Sequence, residues 1–495
     1  MRRLLSLFLL SALVLVPTLT ACSSSEVSQE TTAADETETT AAETEPVEYE
    51  QMSLLERLKL DYNAVPDDLP EEDYEGYTFR IQQPARGIPV LTDVDNSADI
   101  VGDALYRREM AVEERFNVNL ELMLTDNSNY AVNFNQMNAI FLAQEDAYDL
   151  TIIWNTMAGP FAREGFLADL STIDSIDFSK PWFYAAATNM LSYQGHKYVS
   201  VDLVLPIFSD LSCIFFNKTL AEKYQLEDLY QVVRENRFTF EYLKGVTADV
   251  WEDVNGNNAV DSDTDIFGLS VGIAPFSYNA LPAFGASVIG KDDKDTPYLY
   301  PSVNMERADA VYSGFRTFFH ESQGVTYSDW EIVPFMEGRS LFAVGSVGNT
   351  SELRSVDFEY GILPLCKWDE AQTTYQSCFL PMPTAIPATV TDMSRSGVIM
   401  SALAAGGYKE VAPAYYETAL KAKFAMDEGS AEMLDIIASN AVADGTIMFT
   451  DSLIYTFLDY MKDSKEFASF WAVKEKSAQK YLDQIAAEFD RLIAG

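Results

Sequence analysis

Apolar and polar positions alternate over Tyr77-Thr-Phe-Arg-Ile-Gln82, and the β-branched and aromatic residues there predict a strand. Residues 100–117 change period: Leu105, Met110, Val112 and Phe116 recur at helical spacing. Strand-like alternation returns at 118–123, a second helical pattern covers 130–145, and Tyr148-Asp-Leu-Thr-Ile-Ile-Trp154 is apolar enough to be a buried strand. A short helix at 161–165 leads into Leu167-Ala-Asp-Leu170. The rhythm continues with an apolar, β-rich run at 203–216 and helical patterns at 218–224 and 238–250, the latter with Thr239 placed as N-cap. Strands are predicted at 266–271, 340–344 and 360–364, with helices at 307–319 and 333–337 between them. Beyond residue 394 the chain turns helical, with long amphipathic stretches at 408–426, 430–440 and 464–493. Strand–helix–strand alternation dictates parallel pairing and an α/β class. Roughly 445 residues follow Glu50, more than one core usually serves, so two lobes are expected.

The N-terminus follows other rules. Arg2 and Arg3 precede an apolar run at 4–16 that is too short to span a bilayer. Leu19-Thr20-Ala21-Cys22 then resembles a bacterial lipobox. That resemblance implies a signal peptide at 1–21, and Cys22 lipidated as the first mature residue; an ordinary signal peptide with a chance cysteine is the alternative. Residues 23–50 are rich in Ser, Thr, Ala and Glu, and no Lys or Arg lies between Arg3 and Arg57. Such composition cannot offset the entropy of ordering, so 22–75 is expected to be an acidic, disordered linker.

A net charge of −42 argues against nucleic acid and against an anionic membrane surface as partners. Apart from Cys22 the cysteines are Cys213, Cys366 and Cys378, an odd number that suits buried free thiols better than a disulfide framework, though Cys366 and Cys378 could pair. With only His196 and His320, a His-rich zinc site is excluded and triad chemistry has two candidates. No nucleophile elbow or phosphate loop is present, and no catalytic residue is assigned. The 26 Tyr, 30 Phe and 6 Trp are core residues first, yet aromatic faces also stack on sugar rings.

Several segments resemble the extracellular solute-binding proteins of ABC importers, particularly the carbohydrate branch. They are Tyr148 to Trp154 with Ala162–Gly165 and Leu167-Ala-Asp-Leu170, Ile214-Phe-Phe-Asn217-Lys218, Phe335-Met-Glu-Gly338-Arg339-Ser-Leu-Phe342, and Tyr360-Gly-Ile-Leu-Pro364. Their order spans most of the chain from Tyr77. The resemblance implies a periplasmic-binding-protein-like (type II) fold: two α/β lobes with an interlobe ligand cleft and a helical C-terminal region. It sets lobe 1 at 76–206 plus 331–390 and lobe 2 at 207–330 plus 391–495. Crossings would lie near 205–211 and 329–334, and the C-terminal helices would pack mainly on lobe 2.

A sugar cleft needs aromatic plates and side chains that form paired hydrogen bonds. Trp154 reads as core or cleft, and the resemblance puts it in the cleft with Asn155 beside it. Arg86, in the loop after the first strand, is either a surface residue or a polar ligand contact. Asp210 lies among Ile207, Phe208, Leu211 and Ile214 and needs a partner or a ligand; Asp202 is the weaker alternative. Phe276 and Tyr278 match a family loop bearing a stacking aromatic, with core packing as the rival. Ser346 and Gly348, in a small-residue segment, would let ligand approach the backbone. Trp182, Trp330 and Trp368 are secondary candidates. Asp253, Asn255, Asn257, Asp261 and Asp265 resemble an EF-hand-type loop, implying a structural calcium, with an Asx-rich turn as the alternative. The implied function is capture of a carbohydrate, an oligosaccharide above all, for delivery to ABC permease subunits. The protein would act as a monomer held to the membrane only by its lipid. A surface glycoside hydrolase and a sensor subunit of the same fold are the alternatives.

Overall fold

In the computed structural model the described residues are 49–85, 89–92, 100–125, 130–328, 332–380, 382–416, 427–450 and 453–495. Residues 1–21, expected to be a signal peptide, and Cys22, Arg86 and Trp330 lie outside them. The first sheet runs in the order Thr384–Ala385, Leu150–Ile152, Tyr77–Pro84, Val118–Thr125. Tyr77–Pro84 is parallel to both neighbours, while Thr384–Ala385 is antiparallel. The second sheet runs Tyr360–Leu363, Ser212–Asn217, Ser340–Ser346, Ile266–Gly272, Trp251–Glu252, with Val325–Ser328 also pairing with Ile266–Gly272. Every residue of Ser212–Asn217 is buried, as expected for a strand paired on both edges. The two sheets share one continuous apolar cluster, reaching from Leu54 to Phe489. The predicted α/β alternation is present.

Caps set the helix starts. The Thr239 hydroxyl accepts from Tyr242 N at 3.2 Å, opening Phe240–Thr247 as the sequence indicated. Asn217, Asp228, Asp392 and Asp427 cap four further helices.

The lobe assignment needs correction. Strands Ser340–Ser346 and Tyr360–Leu363 pair with Ser212–Asn217, so they belong to the second sheet and not to lobe 1. Helix Met393–Gly406 packs on helix Ile100–Phe116, on the first-sheet side. The chain enters Ser212–Asn217 through the 3₁₀ turn Ile207–Asp210. The return lies not near 329–334 but after Leu363: Val325–Ser328 and Val333–Met336 both flank the second sheet. Periodicity specifies the type of an element but not its partner.

Both ends of the described chain bridge the two halves. Residues 49–75, expected within the linker, are packed. Ser53 and Glu56 form a capping box, and Leu54, Leu55 and Leu58 are buried. Arg57 is 2% exposed and donates to the carbonyls of Tyr49, Met52, Pro181 and Phe183. This short helix also touches Glu428–Ser439, which covers the second sheet's edge strand Tyr360–Leu363. At the other end, Phe467–Ala494 packs on Met305–Glu321 and on Asn155–Arg163, so it does not favour lobe 2. Trp471, Ile485 and Phe489 are its buried stripe.

Cys213, Cys366 and Cys378 are free and buried. Asp169 Oδ2 lies 2.6 Å from His196 Nδ1, and the Met461 carbonyl lies 2.9 Å from His320 Nε2. Among the described residues no helix is long and apolar enough to cross a membrane. Replacing Arg57 with Met would remove the side-chain donor of the Met52 and Pro181 carbonyls, while those of Tyr49 and Phe183 keep backbone donors, and would unpin the N-terminal segment. Urea denaturation of Arg57→Met is expected to show a loss of about 3 kcal/mol; an unchanged midpoint would mean that the segment contributes nothing to the fold.

Candidate functional site

A cavity of about 870 Å³ opens between the two sheets, beside the first crossing. Its size suits a ligand of a few rings. One wall is built where Leu150–Ile152 runs out into helix Asn155–Arg163. Trp154 stands at that junction, half-buried, with Tyr130 edge-on at 6.3 Å. The helix is held close to its support: a Cβ on Gly159 would lie 2.3 Å from the Met448 carbonyl oxygen, closer than any real contact. Asn155 faces the cavity but is partly engaged, its Nδ2 donating to the Leu380 carbonyl at 3.3 Å.

The floor is the crossing itself. Asp210 ends the 3₁₀ turn, half-buried, and Ser212 follows where the strand begins. Burial and the Asp210 charge both push the neighbouring Tyr415 phenol up. The opposite wall carries Tyr278 and Asn279 from a widened helical turn, Phe276–Ala280. Beyond it, Ser346 N donates to Asn349 Oδ1 at 2.9 Å, and Asn349 Nδ2 donates to Glu352 Oε2 at 3.3 Å. Ser346, Asn349 and Glu352 therefore present a polar edge to the cavity.

Of the sequence candidates, Trp154, Asn155, Asp210, Phe276, Tyr278 and Ser346 are brought together here. Phe276 is only 3% exposed, and its ring sits among Phe284, Phe315, Phe319 and Phe457, so it backs the wall as core. Gly348 is not on the lining; a Cβ there would meet the Ser209 carbonyl oxygen at 3.0 Å, so it lets the turn pack on the crossing. Arg86 lies outside the described residues. Asp202 is buried away from the cavity, where it accepts from Val204 N and the Thr384 hydroxyl, and burial raises its carboxyl to about 6. Trp182 is core, and Trp368 stacks on Phe240 at 4.6 Å. Sequence reasoning missed Tyr130, Asn349, Glu352 and Tyr455. The three-residue spacing of Ser346, Asn349 and Glu352 was the available signal.

The EF-hand-like loop takes the Asx-turn form. Asp253 accepts from the backbone N–H groups of Gly256, Asn257 and Asn258, while Asp265 accepts from Trp251 Nε1, Val254 N and Asp261 N. Asn255 donates to Asp261 and Thr264. Among the described residues no group of three or more His, Cys, Asp or Glu is placed to hold a metal.

No family model matches the chain, and no curated protein matches it in sequence. Solved structures do match in shape. UgpB from Mycobacterium tuberculosis, in complex with glycerophosphocholine, superposes with TM-score 0.54 at 15% identity, covering 83% of this chain and 98% of that one. A solute-binding protein from Thermotoga lettingae bound to α-D-tagatose gives 0.54 at 13%, covering 82% and 100%. The substrate-binding protein Lmo0181 from Listeria monocytogenes, in complex with cycloalternan, gives 0.51 at 13%, covering 84% and 99%. The chain has the periplasmic-binding-protein fold. The cavity between its two sheets is the candidate ligand site.

Thermal melting with and without a calcium chelator is expected to give the same midpoint; a drop of several degrees would restore calcium to the loop at 253–265.

Proposed function

We propose that the protein is an extracellular solute-binding protein that captures a carbohydrate in this cleft and passes it to the permease subunits of an ABC importer. The observation that carries the reading is the cleft itself. A half-buried Trp on one wall faces a polar edge of Ser, Asn and Glu on the other, with an acid on the floor. Ring faces accept the C–H face of a pyranose, while amide and carboxylate groups take its hydroxyls. Two structures of similar fold hold α-D-tagatose and cycloalternan, which supports the same class here. An oligosaccharide fits the cavity volume better than a single ring. The protein binds without catalysis and acts as a monomer. Its lobes close by hinge motion when contacts across the cleft favour the closed form. The lipobox-like Leu19-Thr20-Ala21-Cys22 supports a lipid anchor on Cys22.

Titration calorimetry over an oligosaccharide panel tests the binding. Trp154→Ala and Asp210→Ala are each expected to weaken the best ligand by about tenfold to a hundredfold, with melting temperatures unchanged. Product release from any glycan, or unchanged affinity in both variants, would overturn the reading. Cys22→Ala is expected to move the protein from the membrane fraction to the medium; retention would refute the anchor.

A further inference from the structure

The chemistry of the cleft wall goes further than recognition of hydroxyls. Trp154 and Tyr130 present π faces or edges from one side, and Tyr278 and Tyr455 line other parts of the cavity. Tyr130 and Tyr455 are each 42% exposed. Ring faces are electrostatically negative. Asp210 on the floor and Glu352 at the polar edge add two carboxylates. The described part of the lining contributes acids and no Lys, Arg or His; Arg354, whose charge acts on the Tyr415 phenol against that of Asp210, is not on it. The chain as a whole carries −42, and a cleft with low-dielectric walls focuses such a field.

We propose that the cleft selects its ligand by charge, taking a glycan that bears a basic amine and rejecting an anionic one, with Asp210 and Glu352 as the selecting residues. This rests on the cleft being the ligand site of the proposed binding protein. An ammonium on the sugar gains from both carboxylates and from the neighbouring rings. A uronate or phosphate in the same place is repelled by them and must shed its hydration without replacement. The orientation of Glu352 is fixed through Asn349, whose Oδ1 is held by Ser346 N. Glu352 is therefore a specificity-determining group held in place by its own helical turn.

The test uses one β-1,4-glucosamine trimer backbone in three forms: free amine, N-acetylated and N-succinylated. Calorimetry is run at about pH 6, where the amines are charged. The free-amine form is expected to bind at least about tenfold tighter than the succinylated form, with affinity falling as salt is added. Asp210→Asn and Glu352→Gln are each expected to shrink that ratio. An N-succinyl trimer binding as tightly as the amine form, or a ratio unmoved by both substitutions, overturns the proposal. Should none of the three bind, the carbohydrate reading falls separately, and charge selection is read with spermidine against citrate in a thermal-shift assay. Stabilisation by spermidine alone upholds the charge selection; stabilisation by citrate, or by neither, overturns it.

Discussion

Two hydroxyls staple the crossings together. Ser212 Oγ donates to the Cys378 carbonyl at 2.7 Å, and Ser377 Oγ donates to the Ser212 carbonyl at 2.7 Å. Both serines are buried, where an unpaired hydroxyl or carbonyl is costly. The reciprocal bonds satisfy all four groups and lock the outgoing strand to the returning one. The cleft takes its geometry from this point. Ser212 is on the floor, the Cys378 thiol reaches the carbonyl of Tyr278, and Leu380, two residues on, accepts from Asn155. Asp210 is held two residues upstream by the same strand. A shift in the register of Ser212–Asn217 would move both walls together.

The chain ends complete the constraint. The segment around Arg57 touches Pro181 and Phe183 next to the first sheet and the helix Glu428–Ser439 next to the second. The helix Phe467–Ala494 bridges the two sides through separate contacts. Two elements besides the crossings therefore join the two sheets.

Much of this was legible in the sequence because local physics decided it. The period-2 runs, the change to helical spacing and the cap at Thr239 became the elements they predicted. Trp154 could be placed at the cavity because it follows a buried strand, and Asp210 because it is an acid inside an apolar run. Legibility stopped wherever the deciding contact was distant in sequence. Two of the four carbonyls that Arg57 finds lie more than a hundred positions away, so the acidic leader's composition masked a packed segment. Residues 340–363 read correctly as strand and turn, but their pairing with Ser212–Asn217 is a property of topology. Phe276 and Tyr278 share one turn and one spacing, and only the aromatic cluster around Phe315 and Phe319 decides which becomes core.

That division of aromatics separates scaffold from site. Phe276, Trp182 and Trp471 are satisfied by packing, and exposing them would forfeit about 2 kcal/mol each. Tyr130 and Tyr455 forgo that gain, remaining 42% exposed at the mouth of the cleft. Trp154 cannot retreat into the core, because its helix is pressed against the Met448 carbonyl at a position only Gly159 can occupy. Trp154 is thus held at the cavity by its own backbone, while Tyr130 and Tyr455 keep apolar surface that folding left unburied.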